Sequence, residues 1–395
     1  MNILLYSEFF YPITGGTQSF VLELARGLGQ SPAANSVTVV TRTPARPAAH
    51  SPADASSSPV AADAYPFSVV RRPGLRALWK FIRRADLVHV AGPALSPMAL
   101  SVLARKRFVV EHHGCQVACP NGLLFFEPTQ SPCPGHYMAR RYSKCLACNR
   151  KSVGLAKSLR MLLLTPVRRW LANRAARNIM PTAWLAGVLR LNRAATVHHG
   201  VASPAQVSSP LPPATAVGTI TFAFQGRLVS TKGVATLLAA AAQLHAEGRA
   251  FRLKILGDGP ELRALKSRAA FLGDKVEFLG HVPDDCLDAV FAGVAAVVMP
   301  SLGGEVFGLV AAESMRRAKL VIVSDLGALV EVVGDSGLIF PAGDADALAA
   351  CMRRVLDDPT LALTLGAAAC ARAQELFSVE RMLDRHVALY HEVAR

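Results

Sequence analysis

The chain predicts an α/β protein built from two doubly wound domains, each a parallel sheet covered by helices. Three observations predict it. Apolar stretches of strand length alternate with longer helical ones from residue 2, and the alternation restarts at residue 219. Between the two series lie residues 202–217, ASPAQVSSPLPPATAV, with the Pro, Ser and Ala content of a linker. The 395 residues, 51% of them hydrophobic, suffice for two separate cores.

Residues 2–6 read as the first strand, 7–16 as a loop, 17–29 as a helix and 37–41 as the second strand. Residues 43–66 are rich in Pro, Ala and Ser and read as a flexible loop. The short apolar runs 87–90 and 108–111 read as buried strands. The first domain is expected to cover 1–203, with a Cys-rich insert at about 114–150, and the second 218–378. The second opens with strands at 220–224, 251–256 and 295–299, followed by a helix at 308–315. Ligands of such sheets bind beyond the carboxyl ends of the strands, so both domains are expected to contribute to one cleft.

No apolar run approaches the roughly 20 residues that span a bilayer. The N-terminus has no basic region ahead of its apolar residues and reads as a strand, not a signal peptide. A cytoplasmic protein is expected. Its net charge of +15 is uneven: residues 1–200 carry 25 Lys+Arg against 7 Asp+Glu, a net +18, and the remainder is −3. That asymmetry admits nucleic acid, anionic membrane or phosphorylated acceptors as partners.

The most informative stretch is SLGGEVFGLVAAESM at 301–315. Glu305 follows a Gly-Gly turn after a strand, and Glu313 lies inside the expected helix. Carboxylates so placed reach different parts of one ligand beside a positive helix end, and vicinal hydroxyls suit them. The amides of Val306, Phe307, Gly308 and Leu309 are expected to be donors at that helix start. In the turn GRLVSTKG at 226–233, Gly226 precedes Arg227 and Lys232, a planar fork and a mobile point charge suited to a diphosphate. GDGP at 257–260 and FLGH at 278–281 follow, then DLGALVEVV at 325–333 and FPAGD at 340–344.

In this order, these motifs resemble the C-terminal half of GT4-family glycosyltransferases, which have the GT-B fold of two Rossmann-like domains facing across a cleft. The resemblance is strong over 218–378 and clear over 1–30. It implies that Arg227 and Lys232 bind the donor pyrophosphate and steady the leaving nucleotide, that Glu305 meets the sugar hydroxyls and that Glu313 meets the ribose. It places Gly257, Gly259, His281 and Val282 near the nucleobase, and Gly15 and Gly16 at a close backbone approach to the ligand. His113, fixed in register by Gly114, would position the sugar. The last helix, 379–395, would cross back to the first domain. Catalysis would be retaining, and no metal is expected for it, the charge coming from the two cations. HGVA at 199–202 and GALVE at 327–331 depart from the commoner family patterns, which bears on donor preference.

Five of the eight cysteines fall between Cys115 and Cys148. A Cys-x2-Cys pair with two cysteines upstream can make a tetrahedral thiolate site, and disulfides are disfavoured in a cytosolic chain. The segment is similar to that of a GT4 subset with a four-cysteine insert. That likeness points to Cys119, Cys133, Cys145 and Cys148, with a structural zinc expected ahead of an iron–sulfur cluster. Residues 71–84, RRPGLRALWKFIRR, mix cations with Trp79 and Phe81 as interfacial helices do, and residues 158–178 form a second basic and apolar stretch.

The function expected is transfer of a hexose from a nucleoside-diphosphate sugar to a glycan or lipid-linked acceptor in bacterial surface glycan or glycolipid synthesis. The enzyme would be peripheral on the inner face of the membrane and bind no nucleic acid. The alternatives are a GT-B synthase or phosphorylase with a soluble acceptor, and a zinc-stabilised nucleic-acid-binding protein that leaves the diphosphate motifs idle.

Overall fold

The computed structural model describes residues 1–13, 15–34, 36–45, 65–203 and 219–394. Most of the loop expected at 43–66 and of the linker expected at 202–217 lies outside them, as does Arg395. In chain order the first elements are β1 (Asn2–Ser7), α1 (Gly16–Gln30), β2 (Ser36–Thr41), β3 (Ser68–Arg71), α2 (Leu75–Arg84), β4 (Leu87–Ala91), α3 (Leu95–Leu103) and β5 (Phe108–Glu111). A small hairpin, β6 (Phe125–Phe126) and β7 (Ser131–Pro132), precedes α4 (Tyr142–Val153), α5 (Leu155–Ala172), β8 (Arg177–Met180), α6 (Ala183–Leu189) and β9 (Ala194–Thr196).

The second series is β10 (Ile220–Gln225), α7 (Val234–Ala246), β11 (Phe251–Leu256), α8 (Leu262–Ala269), β12 (Val276–Gly280), α9 (Asp284–Ala292), β13 (Ala296–Met299) and α10 (Leu309–Arg316). It ends with β14 (Leu320–Ser324), α11 (Gly327–Val333), β15 (Leu338–Phe340), α12 (Ala345–Asp357), α13 (Pro359–Leu376) and α14 (Val379–Ala394). Two compact units result. Unit 1 comprises Met1–Gly122, Gly135–Gly200 and Val379–Arg395; unit 2 comprises Leu123–Pro134 and Val201–Ser378.

Unit 1 holds a seven-stranded parallel sheet in the order β3-β2-β1-β4-β5-β8-β9. Successive residues of β1 point to opposite faces. Ile3 and Leu5 pack with Phe20 and Leu24 of α1 and with Met382 and Tyr390 of α14. Leu4 and Tyr6 pack with Leu78 and Ile82 of α2, Met98 of α3 and Leu171 of α5. Gly27 of α1 permits the close approach of α14, because a Cβ there would fall 2.2 Å from Leu383 Cδ1.

Unit 2 repeats the plan in six parallel strands, ordered β12-β11-β10-β13-β14-β15. Phe222, Phe224, Leu253 and Ile322 pack under α7 and α12, while Met299, Val321 and Val323 pack under α10, α11 and α13. Both units are therefore Rossmann-like. In each, the strand order reverses beside the first strand, at β1/β4 and at β10/β13, where a doubly wound sheet opens a crevice for ligands. No helix among the described residues is long and apolar enough to cross a membrane.

Candidate donor site

The loops that follow β10 and β13 meet at the switch point of unit 2. Gly233 ends the turn after β10 in a left-handed conformation, φ 65°, and a Cβ there would fall 1.9 Å from the carbonyl oxygen of Pro300. Glycine thus lets the two loops touch. The Thr231 carbonyl accepts from the Leu302 amide at 2.7 Å, which fixes their register. As a result Lys232 Nζ donates to Glu305 Oε1, which also accepts from Ser301 Oγ at 3.0 Å. Ser301 is itself anchored, its carbonyl accepting from Ser324 Oγ of β14 at 2.7 Å. The expected diphosphate cation and the expected sugar acid form one ion pair. Glu305 is buried, while the Arg227 guanidinium is exposed and makes no hydrogen bond or ion pair among the described residues.

The neighbouring loops join the same rim through their backbones. Gly226 N–H donates to the Leu256 carbonyl at 2.9 Å and Gly257 N–H to the Gly280 carbonyl at 2.6 Å. A Cβ on Gly257 would lie 1.9 Å from the Gly226 carbonyl oxygen, and one on Gly259 2.3 Å from that of Leu228. Gly226, Gly257, Gly259 and the exposed His281 with Val282 therefore line one edge in strand order.

One expectation needs correction. Helix α10 begins at Leu309, so Glu305 lies in the preceding loop, and Val306 and Phe307 are not helix-start donors. Phe307 is a core side chain, edge-on to Phe377 with ring centres 5.2 Å apart. Gly308 is the N-cap at φ 94°, where a side chain would meet Leu329 at 2.5 Å. Glu313 sits in the second turn of α10. Burial pushes its carboxyl up to about 7, with nearby Arg317 lowering and Asp284 raising it. The single Asp-x-Asp, Asp344 to Asp346, opens α12, with Asp344 accepting from the Ala347 amide at 2.9 Å.

In unit 1, Gly15 and Gly16 are exposed at the start of α1, beyond β1. His113 follows β5 and packs on Phe20 of α1, with ring centres 4.8 Å apart. Burial holds its imidazole down at about 3, despite Glu111, so it is neutral at ordinary pH. His112 is a separate, structural residue: Nε2 pairs with Asn178 Oδ1 at 2.9 Å.

Behind His113 lies a constellation that sequence reasoning missed. Glu111 is buried, with Oε2 3.1 Å from His386 Nε2 and 3.2 Å from His89 Nε2, and Oε1 3.6 Å from His199 Nε2. His89 Nδ1 meets Tyr390 Oη at 2.6 Å. Burial opposes charge on Glu111, but the histidines outweigh it and hold the carboxyl well below its usual range. Burial likewise opposes charge on His386, and Glu111 overturns it, raising the imidazole above its ordinary value. One ligand atom each from Glu111, His113 and His199 lies within 4.8 Å of the others, a spacing that could hold a divalent cation. The partners are up to 301 residues apart in sequence, so no local motif announces them.

The cysteines divide between the units. Cys119, Cys145 and Cys148 are buried in unit 1, with Asn121 between two of them: Cys119 Sγ lies 3.0 Å from Oδ1, and Nδ2 lies 3.8 Å from Cys148 Sγ. Cys133 belongs to unit 2, its amide donating to the Leu124 carbonyl at 2.7 Å. Residues 123–134 are thus part of unit 2, where the Leu123 carbonyl accepts from the Gly304 amide at 2.6 Å, one residue from Glu305.

Both halves match families of known proteins. Residues 14–202 match the model for Glycosyltransferase Family 4, and residues 219–358 that for Glycosyl transferases group 1. The chain therefore carries the two domains of a GT4-like glycosyltransferase of the GT-B fold. A phosphatidyl-myo-inositol mannosyltransferase of Mycolicibacterium smegmatis is 37% identical over 33% of this chain and 34% of its own. A 2-deoxystreptamine glucosyltransferase of Streptomyces kanamyceticus is 34% identical over 34% of this chain and 36% of its own. The chain spans about a third of the length of these curated relatives. Among solved structures, Anabaena HepE in complex with UDP and glucose aligns with a TM-score of 0.71 at 19% identity, covering 99% of this chain and 100% of that one. Sucrose-phosphate synthase of Thermosynechococcus elongatus aligns at 0.70 and 23% identity, over 99% and 98%.

Proposed function

We propose that this protein transfers a hexose from a nucleoside-diphosphate sugar to a glycan or lipid-linked acceptor, with retention at the anomeric carbon. The observation that carries the reading is the Lys232–Glu305 pair beside exposed Arg227, at the switch point of a Rossmann-like sheet. A diphosphate offers Lys232 a more highly charged partner than one carboxylate. Its arrival draws the ammonium away, and the Glu305 oxygen becomes an acceptor for sugar hydroxyls. Ser301 keeps that carboxylate in place during the exchange.

As the bond between the anomeric carbon and the phosphate oxygen breaks, negative charge grows on the departing diphosphate. In this reading Arg227 and Lys232 offset it, the kind of stabilisation that contributes most to such steps. The acceptor oxygen bonds the anomeric carbon from the same face, and its proton passes to the leaving phosphate. A neutral His113 suits contact with a sugar hydroxyl rather than proton abstraction. HepE and the two curated relatives support a hexose donor, with UDP the first nucleotide to try.

For the cysteines we infer a structural zinc. Its ligands would come from Cys119, Cys145 and Cys148, three buried thiols of unit 1. The ion would supply folding energy to the insert and take no part in transfer.

Thermal denaturation against a panel of nucleoside diphosphates and their hexose conjugates tests the reading. A ligand at about 100 times its Kd stabilises the folded state by about 2.7 kcal/mol. One or more members should raise the melting temperature, and matching nucleosides without phosphate should not. A panel without effect overturns the proposal.

A further inference from the structure

Helix α5 turns apolar side chains to solvent along one line. Leu155, Leu159, Leu163, Val167 and Trp170 are each exposed, between 43% and 61% of their surface. Spacings of four, four, four and three residues put them on one face. Ser158, Thr165 and Ala172 are buried on the other face. A helix normally hides its apolar stripe; α5 instead buries mostly small and polar side chains, and its apolar stripe lacks a cover. Helix α2, whose sequence suggested an interfacial helix, is different. It buries Leu78 and Ile82 and packs Phe81 against the core, leaving Leu75 as its one exposed large apolar residue.

A second observation meets the end of that stripe. The Arg174 guanidinium stacks 3.3 Å over the Trp170 ring and also lines a cavity at the amino ends of β5 and β8. Five other cations line it: Arg105, Lys106, Arg107, Arg177 and Arg193. Glu392, already paired with Arg177, is the one acid among the lining residues. Leu103, 71% exposed, stands two residues from Arg105. Between residues 135 and 200 the sequence has thirteen Lys+Arg and no Asp or Glu.

We propose that this face of unit 1 docks on an anionic phospholipid bilayer. The α5 stripe enters the acyl boundary, and the six-cation cavity takes a phosphate headgroup. Charge decides the occupant: a second copy would set the six cavity cations against six more, with Glu392 the one lining acid and already paired, whereas anionic lipid complements them. Because α5 leads into β8, its first turn lies toward the carboxyl edge, where His113 stands. Its last turn lies at the amino edge with the cavity, about 27 Å away. The docked face so runs from the headgroup cavity to the edge that carries chemistry. The inference rests on the reading that the acceptor is lipid-linked, and it replaces α2 with α5 as the contact.

Co-sedimentation of the full chain with phosphatidylcholine vesicles, with and without phosphatidylglycerol, tests it. Wild type should bind the anionic vesicles at low salt and leave them at high salt. Leu159→Ser with Leu163→Ser, and separately Arg105→Gln with Arg174→Gln, should each weaken binding about tenfold. All four side chains are exposed, so folding is preserved. Neutralising Arg76, Lys80, Arg83 and Arg84 of α2 should cost far less. Trp170 emission should shift to the blue on vesicle addition, and Trp170→Phe should remove that shift.

Equal binding by the stripe variant, or loss confined to the α2 variant, overturns the α5 surface. So does a wild-type dimer in light scattering that the stripe variant makes monomeric. Nucleoside-diphosphate stabilisation of the same variants should match wild type. Vesicle binding without any nucleotide effect would sink the transferase reading and leave this surface standing, and the reverse result would do the opposite.

Discussion

Each unit places charged groups at the carboxyl end of its sheet, and the two handle them in opposite ways. In unit 2, half-exposed Lys232 pairs with buried Glu305, and Arg227 is exposed. In unit 1, Glu111 is sealed among His89, His199 and His386 with no exposed surface. Water reaches the half-exposed Lys232 while Glu305 is buried, so the ammonium is the partner that an arriving diphosphate can draw away. A buried carboxylate with charge-assisted partners cannot exchange, since an unpaired charge there is costly. The first arrangement suits binding, and the second suits holding β4, β5 and α14 together behind His113.

The sharpest way to break this contrast is in unit 1. Glu111→Leu leaves three buried histidines without their acceptor and should lower unfolding free energy by about 3–5 kcal/mol in urea titration. The Glu111 share of stability is present above the ordinary carboxylate range near 4 and lost as pH falls through the lower folded value. A loss below about 1 kcal/mol would make the cluster incidental. In unit 2, Lys232→Ala and Glu305→Ala should cost less stability than Glu111→Leu and reduce turnover about tenfold or more, some 1.4 kcal/mol of transition-state stabilisation. Near-normal rates in folded variants would remove both from the mechanism.

The insert gives a third test: protein purified without added metal should contain about one zinc per chain by elemental analysis. Metal-free, colourless and stable protein would contradict zinc and iron–sulfur alike. The smallest effect expected is at Glu313. Its folded pKa of about 7 lies above the ordinary carboxyl value, so the folded state holds the extra proton. Stability should fall as pH rises from about 4.5 to 7 and then level off. Binding of a ribose diol by the carboxylate should strengthen over pH 6 to 8, a trend that Glu313→Gln abolishes. If Glu313→Gln keeps the same pH profile, another group titrates.

Much of this was legible in the sequence, and unevenly so. The strands β1, β2, β4, β5, β10, β11 and β13 follow from apolar runs, and the loops after β10 and β13 follow from glycines that tight approach requires, as at Gly233. Boundaries were less so: α10 starts late because Gly308 takes a left-handed conformation that sequence pattern does not reveal. The direct pairing of Lys232 with Glu305 depends on the adjacency of β10 and β13, 73 residues apart in sequence. The Glu111 cluster carries no local signal, because its partners come from three distant segments. The insert was expected to belong to the first domain, yet residues 123–134 join unit 2 through Leu123 and Gly304, a backbone contact without a side-chain signature.

Titration calorimetry with UDP tests the central claim most directly, comparing wild type with a protein carrying both Arg227→Ala and Lys232→Ala. Should UDP not bind wild type, the nucleotide found by thermal screening takes its place. The double variant should lose about tenfold or more in affinity, because two cations that face the diphosphate are gone. Uridine, which lacks the diphosphate, should bind both proteins alike. Equal UDP affinity in a correctly folded double variant would contradict the placement of the donor diphosphate at the β10/β13 switch point.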